Sequence, residues 1–264
     1  MENNVKTQIE KLDEICPLVK GYKNSKRLVR SKFFEDIQTE LQAYLLGFYV
    51  ADGSLNEERN TISVSIAEQD KEIIELYKNI SPEARCTIYK ERTLIGPKGK
   101  EIHGQSMVRI DISNKKLGNS LVQLGYGQRK TYKEMRLPDL PDHLIWHFIR
   151  GYFDGDGYFT MSCRKPNPKN REVNYRIAVT VGMISKTKTL LAEIKNFLSK
   201  YGFDAKMYDI GGYYRLEIRA KQAVKDLYTF LYKTSNFKLS RKYNKYNYYV
   251  NTEESQIITD LRNA

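Results

Sequence analysis

Cysteine is scarce in this 264-residue chain: Cys16, Cys86 and Cys163 stand far apart, odd in number and without a CxxC spacing. That argues against a disulfide scaffold or a structural zinc site, and an intracellular, reducing compartment is the expectation. Histidine is equally thin, with His103, His143 and His147. The last two have the spacing of ligands on one helix face, but no Glu joins them as in HExxH and no third ligand is evident, so a structural pair is expected. No apolar run approaches the ~18 residues of a membrane-spanning helix, and no signal-like segment opens the chain, so no membrane partner is expected. Acidic residues fall short as well, 32 against 44 Lys and Arg, leaving a net charge of +12. An excess of that size points to a polyanion. Against a single Trp there are 20 Tyr, a ring suited to half-exposed sheets that pack on one side and meet phosphate or sugar on the other, as well as to core.

What the chain does have is a stretch that occurs twice, LLGFYVADG at 45–53 and IRGYFDGDG at 149–157. Gly47, Asp52 and Gly53 recur 104 positions later as Gly151, Asp156 and Gly157, a period that suggests two related half-domains rather than a solenoid. Each copy closes an apolar run with helical spacing: Leu41, Tyr44, Leu45, Phe48 and Tyr49, then Leu144, Ile145, Phe148, Tyr152 and Phe153. Gly53 and Gly157 are expected in the left-handed conformation just past a helix end, and Gly47 and Gly151 are expected to let another backbone approach. Two such helices side by side would bring Asp52 and Asp156 together. A carboxylate at a helix C-terminus beside a second carboxylate costs about 1 kcal/mol or more per contact. A divalent cation reverses that cost, and the last-turn carbonyls of Ala51 and Gly155 are oxygen ligands of the kind Mg²⁺ or Ca²⁺ accepts. The competing reading, a solvated Asp-Gly turn, suits one copy better than two at matching positions.

In order, residues 1–40 belong to neither repeat. A first helix through Leu12 to Val19 is expected, then a basic one at 25–34 (SKRLVRSKFF), either as a small helix-turn-helix with Lys26, Arg27, Arg30 and Lys32 toward phosphate or as a solvated arm. Repeat one spans 41–124: a half-buried strand at 61–66 with Ser63 and Ser65 outward, a helix at 70–80, strands at 85–92 and 107–113 with Arg109 and Asp111 outward, a basic Gly-containing loop at 94–105 and a helix at 115–124. A Pro-bearing linker, 125–142, leads to repeat two at 143–245. There the strands are 158–164, ending in Arg164; 174–184, with Arg176 and Thr180 outward; 205–210, with Lys206 and Tyr208; and 213–220, with Arg215, Glu217 and Arg219 outward. Helices at 186–201 and 221–232 accompany them, and 246–264 is expected as a tail. The pattern implies an α+β fold of two pseudo-symmetric αββαββα repeats, each with a four-stranded antiparallel sheet that is apolar on one face and polar on the other.

The doubled motif resembles the two motifs of a single-chain LAGLIDADG homing endonuclease, and the similarity runs over about residues 41–245. Val50 replaces the first acidic residue of the motif in copy one, while Asp154 keeps it in copy two. The resemblance implies a saddle of two sheets on double-stranded DNA, with the outward strand residues named above reaching base edges. It implies a monomer that cuts one strand with Asp52 and the other with Asp156, using Mg²⁺, with Ca²⁺ or Mn²⁺ able to occupy the site. A lysine near each centre is implied too, and Lys130 and Lys242, 112 rather than 104 positions apart, are the candidates. Another class stays open, a non-cleaving RNA maturase or DNA-binding regulator on the same repeat, as does a nuclease for structured or single-stranded nucleic acid. Two repulsive carboxylates favour cutting, since a pure binder gains nothing from them. The opening Met and the closing TDLRNA lack a splice-junction nucleophile, so an intein origin is not expected.

Overall fold

A computed structural model describes residues 2–21, 27–95, 101–165 and 175–263. The first half contains α1 (Glu2–Ile15), β1 (Val19–Lys20), β2 (Leu28–Val29), α2 (Glu40–Asp52), β3 (Gly53–Asn56), β4 (Thr61–Ala67), α3 (Glu72–Tyr77), β5 (Arg85–Tyr89), β6 (Arg92–Ile95), β7 (Glu101–Gly104), β8 (Met107–Ser113) and α4 (Lys115–Gln123). The second contains α5 (Asp142–Asp156), β9 (Gly157–Arg164), β10 (Arg176–Ser185), α6 (Lys188–Lys200), β11 (Lys206–Asp209), β12 (Tyr214–Ile218), α7 (Lys221–Tyr232), α8 (Ser240–Asn251) and α9 (Glu254–Asn263).

Each repeat carries a four-stranded antiparallel sheet, β3-β4-β8-β5 and β9-β10-β12-β11, and the two orders correspond strand for strand. Alternation decides the faces: Ile62, Val64, Ile66, Val108, Ile110 and Ile112 are buried in one sheet, and Ile177, Val179, Val181, Met183, Leu216 and Ile218 in the other. Fully removing such a side chain from water is worth about 2 kcal/mol, so one sheet face and the helices over it account for much of each core.

The two sheets are joined through α2 and α5, which pack along each other more extensively than any other helix pair. Helix α2 is buried on all sides from Glu40 to Val50, the signature of a helix in the centre of a core rather than on its surface. Its start is fixed by a capping box: Gln42 N donates to Thr39 Oγ1 at 3.2 Å, and Thr39 N donates to Gln42 Oε1 at 3.1 Å.

Several expectations are corrected. Gly53 and Gly157 are extended, with φ of −82° and −85°, not left-handed. They open β3 and β9, and glycine is needed there for space: a Cβ would fall 2.1 Å from the Tyr49 ring and 2.3 Å from the Phe153 ring. No second helix forms among the described residues of the basic N-terminal stretch, where Leu28 and Val29 pair with Val19 and Lys20 as a short ribbon. Nor is the segment a solvated arm, because Leu12, Cys16, Val29, Phe33 and Phe34 join the core. Arg30 is 3% exposed and donates to Cys16 O, Leu12 O, Asn79 O and Asp13 instead of meeting phosphate; Lys26 lies outside the described residues. The span 94–105 holds most of a hairpin, β6 with β7. The C-terminal stretch expected as a tail forms the second half of α8 and all of α9, burying Tyr246, Tyr249 and Ile257.

Candidate active site

Asp52 and Asp156 are the last residues of α2 and α5. The helices meet so closely that a Cβ on Gly155 would lie 2.3 Å from Ala51 Cβ and 3.1 Å from Asp52 Oδ2, which puts the Asp52 carboxylate against the residue preceding Asp156. Both aspartates keep more than a third of their surface in contact with solvent. The protein packed around them still raises both acids above the ordinary 3.8. Asp156 is pushed to about 6 by that partial desolvation first and by the charge of Asp52 second. Asp52 is raised as well, by partial desolvation, with Lys242 and Lys130 opposing.

A lysine stands at each centre. Lys130, buried, reaches Gly53 O and lies 5.1 Å from the Tyr49 ring centroid. Lys242 donates to Phe153 O, Gly155 O and Gly157 O at 2.9, 2.8 and 2.5 Å. Gly53 and Gly157 are repeat equivalents, so the two ammonium groups sit at matching places although their loops differ in length. Cations there offset the negative ends of α2 and α5. Burial lowers both lysines to about 8, against the pull of the aspartates. Gly155 O thus already accepts one hydrogen bond, and a carbonyl has two lone pairs.

The donor set at this end comprises two carboxylates and the carbonyls of Ala51 and Gly155, all hard oxygen, which suits Mg²⁺, Mn²⁺ or Ca²⁺ and not a thiophilic metal. Among the described residues no group of three or more His, Cys, Asp or Glu is placed to hold a metal. His147 sits 2.8 Å from Arg150 through Nδ1 and is driven to about 3 by burial, so it stays neutral. Cys16, Cys86 and Cys163 are all free thiols. No helix among the described residues is long and apolar enough to cross a membrane.

The polar sheet faces carry the strand residues singled out in the sequence. On the first sheet Ser63, Arg109 and Asp111 bond one another: Ser63 Oγ donates to Asp111 at 2.6 Å, and Arg109 donates to Asp111 at 2.8 Å and to Ser63 at 2.7 Å. Ser65 lies opposite Arg109. On the second, exposed Arg164 and Arg176 face each other, and Thr180 faces Thr160. Lys206 pairs with Asp204 at 2.8 Å. Arg215 and Arg219 each lie 5.5 Å from the Tyr208 ring. Two of these residues are not open to solvent: Ser63 is 6% exposed, and Glu217, at 4%, is covered by Tyr158, Arg215 and Arg219, which contact its carboxylate at 2.5, 3.2 and 2.5 Å. Its charge orients arginines and does not reach outward.

Two buried charges near the site were not legible in the spacing. Asp154 accepts from Tyr44 Oη, Tyr232 Oη and Leu239 N at 2.9, 2.6 and 2.8 Å, joining α2, α5, α7 and the lead into α8. Burial holds it above the ordinary carboxylate range. Arg150 is 1% exposed and donates to Glu40 at 2.7 Å and to Phe237 O at 2.8 Å. The only sequence signal for either was a charge inside an otherwise apolar helical run.

Residues 149–257 match the family model of the LAGLIDADG endonuclease. Solved structures with the same fold include the LAGLIDADG meganuclease I-CpaMI bound to uncleaved DNA, 14% identical with a TM-score of 0.56 over 84% of this chain and 98% of that one. The I-LtrWI LAGLIDADG homing endonuclease bound to target DNA is 12% identical, with a TM-score of 0.55 over 85% and 97%. I-SmaMI bound to uncleaved DNA in the presence of calcium ions is 14% identical, with a TM-score of 0.54 over 86% and 98%. At these identities the likeness is one of fold. A probable translation initiation factor IF-2 of Thermococcus kodakarensis is 25% identical over 174 residues, 62% of this chain. The match spans 12% of that protein, so this chain corresponds to a small part of it. The fold is that of the two-repeat LAGLIDADG meganucleases. The family match covers the second motif and its sheet, and the first motif repeats the Gly-Asp-Gly spacing 104 residues earlier.

Proposed function

We propose that this protein cuts both strands of a long duplex DNA site as a monomer, hydrolysing one phosphodiester with each motif in a divalent-metal-dependent reaction. The observation that carries the reading is the pairing of Asp52 with Asp156 at the adjoining ends of α2 and α5, with a lysine at each end. Like charges held this close favour a bound cation.

Asp52, Asp156 and the carbonyls of Ala51 and Gly155 would hold Mg²⁺, with Mn²⁺ or Ca²⁺ fitting the same oxygens. Such an ion supplies charge stabilisation at the phosphate and a more acidic water. The chain's own residues do the rest. Packing of α2 on α5 fixes the two carboxylates relative to each other. Lys130 and Lys242, mainly protonated at neutral pH, present positive charge where negative charge builds up on the phosphate. Ser63, Ser65, Arg109, Arg164, Arg176, Thr180, Lys206, Tyr208, Arg215 and Arg219 would meet the duplex, with Asp111 and Glu217 aligning their arginines. Supporting the DNA partner are the net charge of +12 and the DNA-bound relatives of the same fold.

The test is selection of cleaved sequences from a randomised duplex library with Mg²⁺, with RNA and single-stranded DNA in parallel. A defined long duplex site cut on both strands supports the reading; cleavage of single strands or RNA alone, or none, overturns it.

A further inference from the structure

The structure assigns a positioning role to Asp70 and Glu72: from the first repeat they hold the start of α8 so that Lys242 rests on the carbonyl end of α5 in the second. Only the catalytic consequence of this clamp rests on the endonuclease reading.

Arg241 grips Asp70 with two prongs, Nε to Oδ1 at 3.0 Å and Nη2 to Oδ2 at 2.8 Å. Ser240 donates to Glu72 through both its backbone N and its hydroxyl, each at 2.6 Å. Leu239, the N-cap of α8, makes no side-chain cap bond. Glu72 supplies what the local sequence lacks, an acceptor for a first-turn N–H and a negative charge at the positive helix end. With Leu239 N on Asp154, three consecutive residues are tied from outside the helix, and Lys242 follows at once. A long lysine side chain loses rotamer entropy on reaching three carbonyls. A fixed backbone origin lowers that cost. Lys130 is held differently. Gln128 N, two residues before it in the linker, donates to Glu57 of the first repeat at 2.7 Å. Lys130 is therefore set from the repeat its linker directly follows and Lys242 from the opposite one, so the second centre is complete only when the first repeat is docked against it.

The experiment uses the full chain with Asp70→Asn, Glu72→Gln and Glu57→Gln, a duplex labelled separately on each strand, and acylation of lysines at fixed pH read by mass spectrometry. Asp70→Asn and Glu72→Gln are expected to slow, by several-fold, the strand most affected in Lys242→Ala, with duplex affinity unchanged. Glu57→Gln is expected to slow the other strand. Acylation of Lys242 should accelerate several-fold in the first two variants and not in the third. Acylation needs no cleavage, so if the wild type cuts no duplex while Lys242 responds in this way, the endonuclease reading fails and the clamp stands. Wild-type acylation of Lys242 in folded Asp70→Asn and Glu72→Gln, or equal slowing of both strands, overturns the clamp. Should Asp70→Asn not fold, Arg241→Lys, which keeps the charge and loses the two-pronged contact, is read in the same way.

Discussion

Gly47 and Gly151 mark the crossing of the two motif helices: a Cβ on Gly47 would lie 2.0 Å from Phe148 O, and one on Gly151 would lie 2.0 Å from Tyr44 O. The contacts are mutual copies, since Tyr44 and Phe148 are themselves repeat equivalents. Backbone touches backbone there, which is how the adjoining helix ends bring Asp52 against Gly155.

Gly47→Ala or Gly151→Ala forces the helices apart, because the atom a Cβ would meet is main chain with no rotamer to turn. We expect a loss of about 3 kcal/mol from either, seen as a lower denaturation midpoint, together with loss of cleavage. An unchanged midpoint contradicts the close approach.

Arg150 and Glu40 form a buried pair that links α5 to α2 and to the 236–237 backbone. Truncating either partner leaves the other's charge without its counterion. Arg150→Met and Glu40→Gln should each cost about 3 kcal/mol, and the double variant less than the two together. Chemical denaturation of the four proteins checks this, and strict additivity argues against the pair.

Ionisation of Asp156 should destabilise the metal-free protein, against the opposite effect of His147, whose depressed value favours the folded state more as pH rises toward 6.5. The Asp156 carboxyl is raised to about 6 in the folded protein, so its contribution is full below the ordinary value of 3.8 and is lost as pH passes through about 6. Solvent contact weakens the effect to about 1 kcal/mol, a few degrees in Tm. In chelator at pH 7.5, Asp156→Asn should melt higher than the wild type, and Mg²⁺ should stabilise the wild type more than the variant. Equal melting of the two proteins in chelator contradicts the strained pair.

Lys130→Ala and Lys242→Ala should slow single-turnover cleavage by about 10- to 100-fold, with little change in duplex affinity, because both ammonium groups lie against motif carbonyls and off the sheet faces. Loss of affinity in proportion to rate would make them phosphate anchors instead.

Much of this architecture was written in the period of the chain. The 104-residue offset exposed the two helix ends, and strict alternation at 61–66 and 107–113 gave the buried and polar faces of the first sheet. What stayed hidden depends on partners far away in sequence. Gly53 looked like a helix cap, yet its constraint is the Tyr49 ring lying over it. The basic run at 25–34 looked helical and solvent-facing, but Arg30 is drawn inward by the carbonyls of Leu12, Cys16 and Asn79. The strand at 53–56 was missed because four residues directly after a helix show no period of their own. Lys130 and Lys242 came from a resemblance, and no spacing rule would have found Asp70 or Glu72, which lie some 170 positions from the residues they hold.

The most direct measurement is strand-resolved cleavage of a selected duplex in Mg²⁺ by Asp52→Asn, Asp156→Asn and the double variant, with duplex affinity determined alongside. Either single change should end double-strand cleavage and the double variant should cut neither strand, all three binding within a few-fold of the wild type. Full cleavage by the double variant would contradict the assignment of the chemistry to these two carboxylates.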